Sequence, residues 1–564
     1  MNAPSHVNEL QQSIAVGRPI FRDDRLARCA GEAGDLAAWR MALENGPAGA
    51  AASADGEFAV AIRESSGRTF LAVDRFAIQT LCYRIIGNEL QFALRADSWA
   101  GADEASSLDP QAIFDYVYFH VIPSPRTIFK DVHRVPPGHY VLFENGRLTV
   151  APYWTPTFDD AGSMPLATER DTFRRVLQAS VAAQLDGTKP ACFLSGGTDS
   201  STVAGMIGLA AGKPAATYSI GFEAEGYDEM AYARLTARHF KTEHHEYYVT
   251  PDDLVAGIPA VAAHYDQPFG NSSALPAYYC ARMARDDGVT RLLAGDGGDE
   301  LFGGNTRYAK QKVFGAYERV PSALRRGLLE PLFHLRPVAR APLLRKGASY
   351  IDQARVPMPD RLQTYNLLAL LGIPSVFTED FLQRIDVSDP ARQQRTVWRE
   401  ATTGDLVNRM LAFDWRYTLA ETDLPKVTGT AQLAQVSVGF PMLDARLLDL
   451  ALRMPPDGKL KGLRLRWFFK EALRGFLPDE TLSKKKQGFG LPFGVWTTRH
   501  DGLRRLAADS LGSLSTRGIV RPAFLKELLE ERLPSHPGYY GEMIWILMML
   551  EQWLQAHHPR WGRL

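Results

Sequence analysis

Short apolar runs separated by glycine- and asparagine-containing turns dominate the first quarter of the chain. Residues 57–64, 70–75, 81–86 and 90–94 are β-prone, and Ser66-Gly67 and Gly87-Asn88 punctuate them. Residues 140–143 and 148–150 flank Glu144-Asn145-Gly146-Arg147, where Asn-Gly suits the positive φ of a tight hairpin. A β-rich, mostly antiparallel domain is therefore expected over residues 1–155. Past the linker at 156–165 the texture changes. A helical stretch at 169–185 and short apolar runs at 192–194, 217–222 and 291–294 now alternate. Such alternation predicts βαβ units, a parallel sheet and ligands at the carboxyl ends of its strands. From Ala309 the pattern is mainly helical, with a Pro- and Arg-rich stretch at 335–345. The apolar run at 543–550 reads as a buried helix, far short of the roughly 20 residues that span a bilayer. The expected fold class is α/β, with an antiparallel first domain (1–155) and a second domain (165–564) of parallel sheet and many helices.

Composition narrows the function classes. A chain of 564 residues exceeds one core, so two or three domains are expected. Lys+Arg and Asp+Glu both number 64, so no global field recruits nucleic acid or an anionic membrane. The four cysteines, Cys29, Cys82, Cys192 and Cys280, lie far apart with no Cys-x-x-Cys. That spacing argues against a disulfide framework or a zinc site and fits a reducing cytoplasm. Met1-Asn2-Ala3-Pro4-Ser5-His6 lacks the basic and apolar regions of a secretory leader, so a cytoplasmic location is expected.

Candidate chemistry concentrates at two strand ends. After Ala191-Cys192-Phe193-Leu194 comes Ser195-Gly196-Gly197-Thr198-Asp199-Ser200-Ser201-Thr202, followed by a helix-like stretch. Glycines let backbone N–H groups face a ligand, and a helix N-terminus adds positive dipole, so this loop can cradle pyrophosphate. It is not a Walker loop, because Gly212-Lys213 is followed by Pro214. The second run, Arg291-Leu292-Leu293-Ala294, ends in Gly295-Asp296-Gly297-Gly298-Asp299-Glu300. Asp199 and Asp299 are the hard oxygen ligands that a Mg²⁺–pyrophosphate needs. Near the C-terminus, Ser483-Lys484-Lys485-Lys486-Gln487-Gly488-Phe489-Gly490 sets three ammonium groups before a Gly-Phe-Gly. Adjacent His244 and His245 are expected to be structural, since neighbouring strand side chains point to opposite faces.

These segments resemble the synthetase domain of the asparagine synthetase family, which includes β-lactam synthetases and lasso-peptide cyclases. Tyr218-Ser219-Ile220-Gly221-Phe222, Tyr227-Asp228-Glu229, Thr242-Glu243-His244-His245-Glu246 and Asp266-Gln267-Pro268-Phe269 follow the same order. The resemblance implies an Ntn-type, glutaminase-like α+β domain followed by an ATP-pyrophosphatase-type domain. It implies ATP and Mg²⁺, a small-molecule or peptide carboxylate substrate, an ammonia or amine donor, and it admits a homodimer. By this likeness Ser195, Gly196, Gly197, Ser200 and Ser201 would hold pyrophosphate, with Arg466 as a further phosphate-binding cation. Asp199 and Asp299 would hold the metal, and Leu194, Ile220 and Gly295 would contact adenine or ribose. Lys486 would steady transition-state charge, Asp296 would be the general base, and Lys426 completes the catalytic set.

Departures from the pattern matter as much. Asp55-Gly56-Glu57-Phe58-Ala59, Asp74-Arg75-Phe76 and Val135-Pro136-Pro137-Gly138 are similar to the later half of the family glutaminase. That glutaminase uses a cysteine directly after the initiator Met as nucleophile, where this chain has Asn2. An amide cannot replace a thiolate. Loss of glutamine hydrolysis is expected, the domain surviving as a platform. In the synthetase half, Thr428, Gly429, Ser437 and Gly439 stand where the family pattern carries charged residues, which makes aspartate a poorer guess for the substrate. The expected activity is carboxylate adenylation followed by attack of a nitrogen nucleophile. An intramolecular cyclase of lasso-peptide or β-lactam type is the alternative, and a non-catalytic nucleotide-binding scaffold the least favoured.

Overall fold

A computed structural model describes residues 13–100, 108–162, 164–318, 320–325, 350–484 and 490–562. The Pro- and Arg-rich stretch at 335–345 lies outside the described residues. The N-terminal region contains β1 (Ile14–Phe21), β2 (Ala54–Arg63), β3 (Thr69–Val73), β4 (Cys82–Ile86), β5 (Glu89–Ala93), β6 (His133–Arg134), β7 (His139–Glu144) and β8 (Arg147–Pro152). They form an antiparallel sheet in the order β1-β2-β3-β7-β8 and a smaller sheet β5-β4-β6. Period-two alternation decides what each face packs against. Phe58, Val60, Ile62 and Phe70 meet Trp39 and the helices Asp24–Ala33 and Asp35–Ala42. Ala59, Ala61, Leu71 and Val73 pack instead on Tyr83, Leu90 and Phe92 of the smaller sheet.

The hairpin between β7 and β8 has the turn its Asn-Gly pair predicts, with φ of 52° at Asn145 and 74° at Gly146. Strand β1 is not visible in the hydrophobic pattern because Gly17 and Pro19 interrupt it. Its place at the sheet edge explains the tolerance for both.

The second region is built on β9 (Ala191–Phe193), β10 (Ala216–Phe222), β11 (Glu243–Val249), β12 (Arg291–Leu293) and β13 (Ser437–Gly439). All pair in parallel, in the order β11-β10-β9-β12-β13. Helices cover both faces, as a parallel sheet requires. Phe173, Leu177 and Val181 of Leu166–Gln184 pack with Val203 and Ile207 of Thr198–Ala211 on one side. On the other, Cys280, Ala281 and Ala284 of Ala274–Asp286 cover Ala191 and Tyr218. The chain winds outward from β9 through β10 to β11 and then returns to β12 on the other side of β9. The carboxyl ends of β9 and β12 are therefore neighbours at a topological switch point.

Residues 543–550 lie within the helix Pro537–His557 and are buried throughout. The two regions share one core. Ile113, Phe114 and Val117 of the first pack in the same cluster as Phe377, Trp545 and Trp553 of the second. Polar bonds reinforce this, with Glu421 accepting from Ser124 N at 3.1 Å and Ser124 Oγ at 2.7 Å. Tyr116 Oη donates to the Ile546 carbonyl at 2.9 Å.

Candidate active site

The loop after β9 turns at Gly196, whose φ is +69° and which packs against the backbone of Ala233. Its hydroxyls tie the loop to itself. Ser200 Oγ lies 3.0 Å from Ser195 Oγ, and Ser195 Oγ accepts from Gly197 N at 3.3 Å. The 14-residue helix Thr198–Ala211 then begins, with Asp199 in its first turn. Glycines let the second strand tip close against the first. A Cβ on Gly295 would come within 2.7 Å of Ser200 N, one on Gly298 would collide with Asp199 Oδ1, and one on Gly304 with Asp299 Oδ1. Both tips open onto a cavity of about 860 Å³.

A guanidinium joins the two acidic residues. Arg466 Nη2 donates to Asp199 Oδ2 and lies 2.7 Å from Asp299 Oδ1. Arg466 is only 6% exposed and holds the left-handed conformation, φ 54°, immediately before the helix Trp467–Ala472. Burial pulls its pKa down, but the two carboxylates outweigh that and hold it above the ordinary range. A second ion cluster lines the same cavity. Lys426 Nζ lies 3.0 Å from Asp423 Oδ1 and 3.5 Å from Asp296 Oδ1. Burial pushes the Asp296 carboxyl up, opposed by Lys426. Lys426 is itself held above the usual lysine range, because Asp423 and Asp296 overcome its desolvation.

Of the residues singled out from sequence, Leu194, Ser195, Gly197, Asp199, Ser200, Ile220, Gly295, Asp296, Asp299, Lys426 and Arg466 line this cavity. Ser201 does not reach it. The side chain is fully buried and its hydroxyl meets Thr236 Oγ1 at 2.9 Å. Gly196 contributes the turn, its carbonyl facing Lys484 Nζ at 3.5 Å. Lys486 lies outside the described residues. Five further charged groups belong to the described wall: Asp423, Lys484, Glu229, Lys470 and Glu300. Asp423 sits one helical turn before Lys426, an i,i+3 spacing that could have suggested the pair. Lys484 pairs with Glu229 at 3.1 Å, and Lys470 follows Arg466 by four positions.

The four departures Thr428, Gly429, Ser437 and Gly439 are absent from the described cavity wall. Thr428 Oγ1 donates to the Leu424 carbonyl at 2.9 Å, and Ser437 Oγ to the Thr290 carbonyl at 3.1 Å. Gly429 lies against the Tyr265 ring, and a Cβ on Gly439 would meet the side-chain ends of Gln184 and Arg291. His244 and His245 diverge as strand neighbours do. His244 Nδ1 meets Thr217 Oγ1 at 3.0 Å, while His245 stacks on Tyr218 with centroids 4.9 Å apart. His245, Glu243 and Asp287 have a spacing that could ligate metal, but Lys189 already bridges Glu243 at 2.8 Å and Asp287 at 2.6 Å.

All four cysteines are among the described residues, and none is disulfide-bonded. Cys82, Cys192 and Cys280 are buried, and burial raises each thiol, that of Cys82 to about 12. Among the described residues no helix is long and apolar enough to cross a membrane.

A parallel sheet with glycine-rich acidic loops at its switch point is joined here to an antiparallel, β-rich region. Comparison with known proteins finds a family for each part. Residues 172–555 match the asparagine synthase family profile and residues 39–154 that of a glutamine amidotransferase domain. The chain belongs to the asparagine synthase family. It is 26% identical to asparagine synthetase [glutamine-hydrolyzing] 1 of Bacillus subtilis over 495 residues, covering 86% of this chain and 74% of that protein. A putative asparagine synthetase [glutamine-hydrolyzing] of Mycobacterium tuberculosis is also 26% identical, over 88% of this chain and 76% of its own. Amidase chyE of Penicillium rubens is 24% identical over 84% of this chain and 76% of its own.

Proposed function

We propose that this enzyme forms an amide by adenylating a carboxylate with ATP and then delivering a nitrogen nucleophile to the acyl-adenylate, without hydrolysing glutamine itself. The observation that carries the reading is the meeting of Asp199 and Asp299, from two adjacent strand tips, on one buried cation at the wall of one cavity. Two carboxylate oxygens already converging on a cation are the donor chemistry that Mg²⁺ takes, so Asp199 and Asp299 fit the metal. When bound, the ion neutralises phosphate charge and makes pyrophosphate a better leaving group.

The chain's own groups do the rest. N–H groups of the Ser195–Gly197 turn and the amino end of the following helix receive the departing pyrophosphate. Leu194, Ile220 and Gly295 wall the nucleoside. The substrate carboxylate attacks the α-phosphorus, and the P–O bond to pyrophosphate breaks. In the second step nitrogen attacks the acyl carbon and AMP leaves with the electron pair. Asp296, whose carboxyl burial makes more basic than an exposed one, takes the nucleophile's proton. Lys426 holds Asp296 in place and offsets its charge.

Loss of glutaminase chemistry is supported by the thiols. Cys82, Cys192 and Cys280 are buried and shifted away from the thiolate. Cys29 is half-buried against the Trp39 core. The shared core with the synthetase half supports a platform role.

Carboxylate-dependent ATP–pyrophosphate exchange tests the reading. Exchange with one member of a carboxylate panel, abolished by Asp199→Ala, is expected. Absence of exchange with every carboxylate, or unchanged exchange in the variant, would reject it.

A further inference from the structure

The Arg466 guanidinium lies where a metal ion would be expected, between Asp199 and Asp299. Magnesium binds carboxylate oxygen at about 2.0–2.1 Å, on the same two carboxylates that Nη2 now contacts. The two cations therefore compete for one pair of ligands. Forcing both into a site where Arg466 is 6% exposed would leave a net positive, desolvated cluster. Arg466 also carries a donor turned elsewhere. Its buried Nε–H finds no acceptor among the described residues and faces Gly304, beside the cavity. A guanidinium with a donor to spare is suited to bidentate capture of a phosphate.

We propose that Arg466 is a stand-in cation: in the nucleotide-free enzyme it holds the Asp199–Asp299 pair and keeps divalent metal out, and the pyrophosphate end of the nucleotide draws it away so that metal and phosphate enter together. The inference rests on the reading that these strand tips hold pyrophosphate, and extends it to the order of binding. Phosphate oxygens replace the carboxylates as acceptors for Arg466, and their charge compensates the incoming metal. Metal and pyrophosphate should then each strengthen the other's binding by the same factor. The half-buried Lys426 cluster is not expected to behave this way, because its carboxylates, Asp296 and Asp423, are not the proposed metal ligands.

Manganese is the probe, with protein-bound Mn²⁺ on the full chain read by water-proton relaxation enhancement. The wild type should bind Mn²⁺ at least about tenfold more tightly with inorganic pyrophosphate present than without it. Arg466→Gln should bind Mn²⁺ alone at least about tenfold more tightly than the wild type and lose most of the gain from pyrophosphate. Adding Asp299→Asn to that variant should remove the acquired affinity, placing it at this pair. Equal wild-type affinity with and without pyrophosphate would overturn the proposal, as would a folded Arg466→Gln protein whose Mn²⁺ affinity is unchanged. The wild-type comparison decides alone if the variant does not fold. Failure of ATP–pyrophosphate exchange with every carboxylate would strike the proposed reaction and leave the Mn²⁺ result standing, so the two failures are distinguishable.

Discussion

Two carboxylate settings contrast the halves of this molecule, one fully buried and one half-buried at the cavity wall. In the antiparallel half Asp74 is fully buried and accepts four backbone N–H bonds, from Phe58 at 3.2 Å, Phe76 at 3.0 Å, Ile78 at 3.1 Å and Gln79 at 3.0 Å. Burial pushes its pKa up to about 7 while those bonds oppose the rise. In the parallel half Asp199 and Asp299 meet the guanidinium of Arg466, and Asp296 meets the ammonium of Lys426. Backbone donors cannot leave without unfolding the chain, whereas a side-chain cation can rotate away. The same residue type is thus held by backbone donors in one half and by side-chain cations in the other.

Breaking each kind should give different symptoms. Asp199→Ala should lower carboxylate-dependent exchange by about 10³-fold or more while leaving urea unfolding close to wild type. Asp74→Ala should do the reverse. Four orphaned N–H groups should cost about 3 kcal/mol or more of unfolding free energy in a urea titration, with exchange per folded molecule unchanged. Asp296→Asn sharpens the division within the site. Amide formation should fall about 10²-fold while exchange persists, because the base acts after adenylation.

A smaller effect separates a buried cation of the fold from those of the cavity. Lys459 donates to Asn408 Oδ1 at 2.5 Å, and burial lowers its pKa from 10.5 to about 7. Between those values the unfolded chain holds a proton that the folded chain has released, so stability should rise with pH. The slope is at most about 1.4 kcal/mol per pH unit. Lys459→Met should flatten that part of the stability–pH curve, measured by denaturant titration from pH 7.5 to 9. At the bottom of the scale, Cys29→Ser should change nothing. Neither protein should release glutamate from glutamine above the blank, and glutamate production abolished by the substitution would restore a glutaminase role to the first domain.

Local rules made much of this legible in the sequence. The Asn145-Gly146 turn, the alternation in β2 and β3, and the glycine loops after β9 and β12 all depend on residues within a few positions of one another. Elements set by tertiary closure were not legible. Strand β13 is three residues long and ends in glycine, so only its partner β12 makes it a strand. The contact between Arg466 and Asp199 spans 267 positions. Sequence marked both residues as phosphate or metal ligands, but not that they would bind each other. Ser201 shows the opposite error of scale: its place in the motif suggested a ligand contact, yet a helix displays residues by angle, and this one faces Thr236.

Nucleotide product analysis tests the central claim most directly. The full chain, supplied with ATP, Mg²⁺, ammonia and each member of a carboxylate panel, should convert one of them to its amide with AMP and pyrophosphate in equal amounts. Amide formed with ADP and inorganic phosphate would place bond cleavage at the γ-phosphate and contradict adenylation at these two strand tips.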